Sequence, residues 1–153
     1  MKTNKIIVIF IVIIIAMSGG FFVQKHNQKV SLAQYYYNIG DYKKASDLDV
    51  GDVSSKALSI VNAMDWEDDV DKYLKYNNKT YLLLFDTTIS NIYSANLLFK
   101  HGVGDKDEID ILNEYYKEIA NYLGVSINKL DELNQIGSEN RIIELVKILN
   151  KKR

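Results

Sequence analysis

The chain of 153 residues contains no cysteine, no proline and only two histidines. Without cysteine there are no disulfides, thiolate metal sites, cysteine nucleophiles or lipidated N-terminal cysteine. Without proline, no helix interior loses a backbone donor or meets a pyrrolidine clash. Neither sign of charge prevails: 19 Lys and Arg face 20 Asp and Glu, a formal net charge of -1. That balance disfavours a strongly basic nucleic-acid binder and a highly charged disordered chain. Catalytic patterns are also missing. Gly102-Val103-Gly104 lacks the third glycine of a dinucleotide loop and follows a helical stretch, and no serine stands in a nucleophile elbow. His26 and His101 have no histidine partner at helical spacing, which disfavours zinc. In a calcium loop counted from Asp47, Gly51 would replace an oxygen ligand and Leu58 the bidentate glutamate. The acid pairs Asp68/Asp71 and Glu114/Glu118 have the spacing of solvated helix faces. The sequence therefore leads to the expectation of a non-enzymatic protein with no cofactor, no metal and no evident small-molecule substrate.

What is present begins with the leader. Lys2 and Lys5 precede an unbroken apolar run, Ile6 to Met17; Ser18-Gly19-Gly20 and Phe21-Phe22-Val23 follow. Two readings stay open. Residues 6–17 can be the apolar region of a cleaved secretory signal, with Ala16 and Ser18 as its small residues. Alternatively, residues 6–23 form one membrane span, about 27 Å long at ~1.5 Å per residue. The aromatic and apolar character of residues 21–23, beyond the candidate cleavage point, favours the uncleaved anchor. Basic residues on the two sides nearly balance, Lys2 and Lys5 against Lys25 and Lys29. A short N-terminal tail usually stays inside, so residues 25–153 are expected outside the cytoplasm, as a single-pass cell-membrane protein or a secreted one.

The remainder has helical periodicity and frequent helix punctuation. Ser31 to Gln34 matches a capping box, Gly40 a left-handed stop, and Asp41 a cap for a segment with Tyr42, Ala45 and Leu48. Asp52 or Ser54, then Asp65, open the next two segments, and Asn77-Asn78 marks a turn. Thr80 to Lys100 carries Leu82, Phe85, Ile89, Ile92, Asn96 and Phe99 on one face and is expected to be the central packing element. Asp105 to Leu123 follows, ended by Gly124; Ser126 and Ser138 are the expected caps of the last two helices. The fold class is thus all-α: an N-terminal transmembrane or signal-anchor helix in residues 1–24, then a bundle of about five to six helices. Residues 25–153 are expected to form a single domain.

Two stretches resemble known motifs. Leu32 to Ala45 (LAQYYYNIGDYKKA) resembles half of a tetratricopeptide repeat, with Ala33, Tyr36, Gly40, Tyr42 and Ala45 at that family's small and aromatic positions. The likeness fails at Asp49 and Asp52, and no second copy follows; it would imply peptide or protein binding. Ile119 to Leu133 (IANYLGVSINKLDEL) resembles the helix-turn-helix of repressor-type DNA-binding proteins. That likeness would put Ile127, Asn128 and Lys129 at base edges. Asp131 and Glu132 follow at once, and residues 105–153 hold 8 basic and 10 acidic side chains, a poor footprint for DNA.

The remaining compositional bias is 11 tyrosines and one tryptophan, Trp66. Tyr35, Tyr36 and Tyr37 sweep around three sides of a helix, so they cannot all be buried; the exposed ones either form a contact patch or lie near lipid headgroups, or tyrosine simply stands in for phenylalanine along this chain. From Asp41 to Asp71 there are 9 acids and 3 lysines, suited to a basic partner, to weakly bound cations or simply to solubility. Together these features point to a membrane-anchored or exported module that binds a protein partner at the cell envelope. The candidate contact residues are Tyr35, Tyr36, Tyr37, Tyr42 and Trp66. The alternative is a membrane-tethered regulator whose C-terminal helices bind DNA or a cytoplasmic partner.

Overall fold

A computed structural model describes residues 21–152. Residues 6–20 of the expected anchor lie outside the described residues; among those described, no helix is long and apolar enough to cross a membrane. Every regular element described is a helix: α1 (21–38), α2 (Tyr42–Asp47), α3 (Gly51–Met64), α4 (Trp66–Tyr76), α5 (Lys79–Lys100), α6 (Lys106–Leu123), α7 (Ile127–Gln135) and α8 (Ser138–Asn150). The all-α expectation holds, but there are more helices than the five or six expected. Each of these segments has its own punctuation in the sequence, including the short α2 and α7 and the pair α3 and α4, which Asp65 alone separates. The chain divides into two compact units, one ending at Leu58 and one beginning at Ser59.

In the first unit, α1 does not start at Ser31. It is already helical at residue 21, because nothing between there and Ser31 breaks a helix. The expected capping box is therefore mid-helix, and Gln34 donates instead to the Asn38 side chain at 2.8 Å. Gly40, at φ +78°, ends α1, and the Asp41 carboxylate caps α2 by accepting from the Lys44 backbone N–H at 3.3 Å. After only six residues α2 stops. The buried Ser54 joins the break: its hydroxyl donates to the Ala45 carbonyl at 2.7 Å and accepts from the Val50 N–H at 3.1 Å. Replacing Ser54 by alanine leaves two buried backbone groups unsatisfied and is expected to cost about 1–3 kcal/mol. Faster amide exchange at Val50 would register the loss locally; unchanged exchange there would contradict this role.

In the second unit α5 is central, packing against α4, α6, α7 and α8. Leu82, Phe85, Ile89 and Ile92 are buried as their spacing requires. The stretch TYLLLFDTT is helix despite its strand propensity, since a 3.6-residue period puts Leu82, Phe85 and Ile89 on one face and a period of two would scatter them. The expected face ends early: Asn96 is half-buried and Phe99 exposed, as the last turn of α5 extends past the packed region. Helix α6 buries Ile109, Leu112, Tyr116, Ile119 and Leu123. Gly124, at φ +70°, ends it, and Ser126 caps α7 by accepting from the Lys129 N–H at 3.1 Å. Ser138 is not a cap. Gly137 holds that position, and the Ser138 hydroxyl points to Asp86 at 3.4 Å.

Candidate functional site

The five residues selected by sequence do not share one surface. Four lie in the first unit, on α1 and at the start of α2. The Tyr35 and Tyr36 rings are 5.6 Å apart, and Tyr37 meets Tyr42 edge-on at 5.3 Å. Tyr35 is 57% exposed, while Tyr36, Tyr37 and Tyr42 are half-buried. The Lys44 ammonium sits 5.4 Å from the Tyr36 ring centre and is ion-paired with Asp41 at 2.6 Å. These contacts hold the aromatic patch in place around the Gly40 turn, and a rigid aromatic surface loses little entropy on binding. Trp66 belongs to the second unit and is core, only 2% exposed, against Phe85 at 6.1 Å and Tyr122 at 5.2 Å. At the start of a helix whose first turn is acidic, its indole turns inward and offers no face to a partner.

The second unit carries a polar cleft of about 290 Å³ among α5, α6 and α7. Helix α5 supplies Tyr93, Asn96, Leu97 and Lys100; α6 supplies Asn113, Tyr116 and Lys117; α7 supplies Ile127, Asp131 and Gln135. At its base the buried Tyr116 hydroxyl donates to the Asp131 carboxylate at 2.9 Å and accepts from the Asn134 amide at 3.1 Å. Burial first, then the Asp131 carboxylate, push the Tyr116 phenol well above the ordinary tyrosine range. It keeps its proton at neutral pH and ties α6 to α7, so it is not poised for acid–base chemistry.

Tyr116 should make stability fall in alkali. The unfolded chain loses this proton near the ordinary value of 10.0, while the folded chain retains it. The contribution is therefore intact below that pH and is lost as pH rises above it. Tyr116→Phe should flatten the decline of the urea midpoint above about pH 10. Part of the decline should persist, because burial, then Asp71 and Glu67, also raise Tyr122. An unaltered alkaline limb would refute the assignment.

Two other sequence features take definite positions. Asp65, Asp68 and Asp69 border a surface hollow, where burial, then Asp65 and Asp68, raise the Asp69 carboxyl. Lys72 donates to Asp68 at 2.5 Å, and among the described residues no group of three His, Cys, Asp or Glu is arranged to hold a metal ion. In the stretch resembling a helix-turn-helix, the turn at Gly124 forms and Ile127, Asn128 and Lys129 are exposed. Lys129, however, is paired with Glu132 at 2.9 Å, and Asp131 turns inward to Tyr116 rather than outward.

Sequence reading missed the cleft and the buried pair Asp86–Arg141. Asn96 was a usable signal, a carboxamide at an apolar-face position of α5. Asp86 and Arg141 gave none, lying 55 residues apart on different helices. Comparison with known proteins finds no matching family model, no matching curated protein and no matching solved structure.

Proposed function

We propose that the chain is a membrane-anchored helical module that works by binding a protein partner on the extracytoplasmic side of the cell envelope. One observation carries the reading: the exposed start of α1. Phe21, Phe22 and Val23 are 64%, 69% and 60% exposed, and residues 24–29, all polar or basic, are exposed around the whole helix. Three large apolar side chains without a core of their own call for another apolar phase. Aromatic residues followed by a polar helix suit a lipid interface and a stalk. From residue 24 to the buried Ala33 such a stalk extends about 15 Å at ~1.5 Å per residue, which lifts the tyrosine patch clear of the headgroups.

Protease treatment of intact cells, with mass measurement of the mature N-terminus, tests the reading. The module is expected to be digested without lysis and to retain residues 6–23. Protection until lysis would overturn the location. A photo-crosslinker in place of Tyr35 should give a discrete protein adduct on cells, and one in place of the exposed Glu118 on α6 should not. The same pattern from both positions would remove the patch from the proposal.

A further inference from the structure

The cleft of the second unit has a second property, independent of the tyrosine patch. Asn96, Asn113 and Gln135 reach it from three different helices, and none of their side chains has a hydrogen-bond partner among the described residues. Two of the charged groups around them already have partners, Asp131 at the base of the cleft itself. Asp131 accepts from Tyr116, and Lys117 is paired with Glu114 at 2.7 Å. Lys100 adds one cation at the rim, and Leu97, Ile127 and the half-buried Tyr93 supply apolar wall.

Each carboxamide offers two N–H donors and an acceptor oxygen, all neutral. A ligand that displaces water from all three half-buried or exposed amides must bring both donors and acceptors, and these amides ask for no charge. Hydroxyls and amides do this. The geometry then separates the two main carriers of those groups. An extended peptide is best met by amides spaced along one line. Here they approach from three helices around a hollow of about 290 Å³, just below the ~300–1,000 Å³ usual for drug-sized ligands and so suited to a small one. That arrangement fits a compact ring with polar groups radiating from it and C–H faces that lie on tyrosine and aliphatic walls.

We propose that the α5–α6–α7 cleft binds a single sugar ring of the N-acetylhexosamine class, free or at the end of a glycan. Ring hydroxyls and the acetamido group pair with Asn96, Asn113 and Gln135, and the acetamido methyl rests against Leu97 and Ile127.

The test is a titration of the full chain, ¹⁵N-labelled and held in phosphocholine micelles so that no sugar detergent competes. N-acetylglucosamine, its linear trimer and glycylglycine amide are the probes. The expected result is movement of the Asn96, Asn113 and Gln135 side-chain amide signals with the sugar, at a Kd on the order of 1 mM. Asn113→Leu and, separately, Gln135→Leu should each weaken binding about tenfold. The second variant alters an exposed residue at the end of α7 and so preserves a test if the first fails to fold. Trimer binding as tight as that of the monomer assigns the cleft to a chain end, and exclusion of the trimer assigns it to free sugar. No movement of these signals with sugar, larger movement with the dipeptide amide, or full affinity in both variants would overturn the proposal.

Discussion

Replacing Arg141 by methionine is expected to destabilise the second unit by about 3–5 kcal/mol, the largest loss any single change of a polar residue should cause here. Asp86 and Arg141 are 4% and 7% exposed. The guanidinium donates through Nε to one carboxylate oxygen at 2.5 Å and through Nη2 to the other at 3.0 Å, and Ser138 adds a weaker contact at 3.4 Å. In the interior each charge is compensated by the other, with both carboxylate oxygens hydrogen-bonded to the guanidinium. Removing one leaves a buried charge without compensation, and that penalty exceeds the value of the bonds themselves. The pair joins the middle of α5 to the first turn of α8, so α8 should detach first. The double change Asp86→Leu with Arg141→Met separates the two effects. It removes both charges and should recover most of the lost stability, because a well-packed apolar pair is often as stable as a buried ion pair. Urea unfolding followed by the emission of Trp66, the sole tryptophan, reads the second unit. A single variant within about 1 kcal/mol of the parent would show that water reaches the pair and that its burial matters little.

Phe85→Ala is expected to cost a similar ~3–5 kcal/mol by a different route. Phe85 is fully buried on the central helix, one turn from Leu82 and Ile89, with its ring 6.1 Å from Trp66. Truncation removes the transfer energy of the ring and leaves a cavity between α4 and α5 that these helices can only partly close. Phe85→Leu fills most of that volume and should cost considerably less, since the penalty grows by roughly 24 cal/mol per Å³ of residual cavity. Trp66 lines the same space, so its emission should also shift in the native state of Phe85→Ala. Equal midpoints for the alanine and leucine variants would mean that the cavity does not set the cost.

Phe85 is placed in the core by helical spacing alone, whereas the Asp86–Arg141 pair joins residues 55 positions apart and depends on how distant helices pack. Helix boundaries set by local chemistry were legible: Asp105 accepts from the Asp107 N–H at 2.9 Å, Asn77 turns at φ +51°, and Gly124 ends α6 in the left-handed region. Each needs only a few neighbouring residues, so the information lies within the same short stretch. Where two local signals compete, the longer-range one decides. Ser31 has a capping pattern, but the helix running through it from residue 21 is worth more than one cap, and Asp65 precedes α4 without a side-chain cap bond.

Trp66 marks the limit in the other direction. Its sequence neighbours are acidic and exposed, and only the approach of Phe85 from α5 and Tyr122 from α6 makes its position interior. The sequence by itself determined the all-helical character of the described residues, most of their helix ends, the apolar faces of α5 and α6, and the absence of cysteine and proline chemistry. Only the tertiary structure decided which polar residues become buried partners, Asp86 with Arg141 and Tyr116 with Asp131, and which carboxamides converge on one cleft. Helical periodicity is a property of successive residues, whereas these groupings depend on how distant helices pack, and a polar side chain has the same pattern in sequence whether it faces water or another helix.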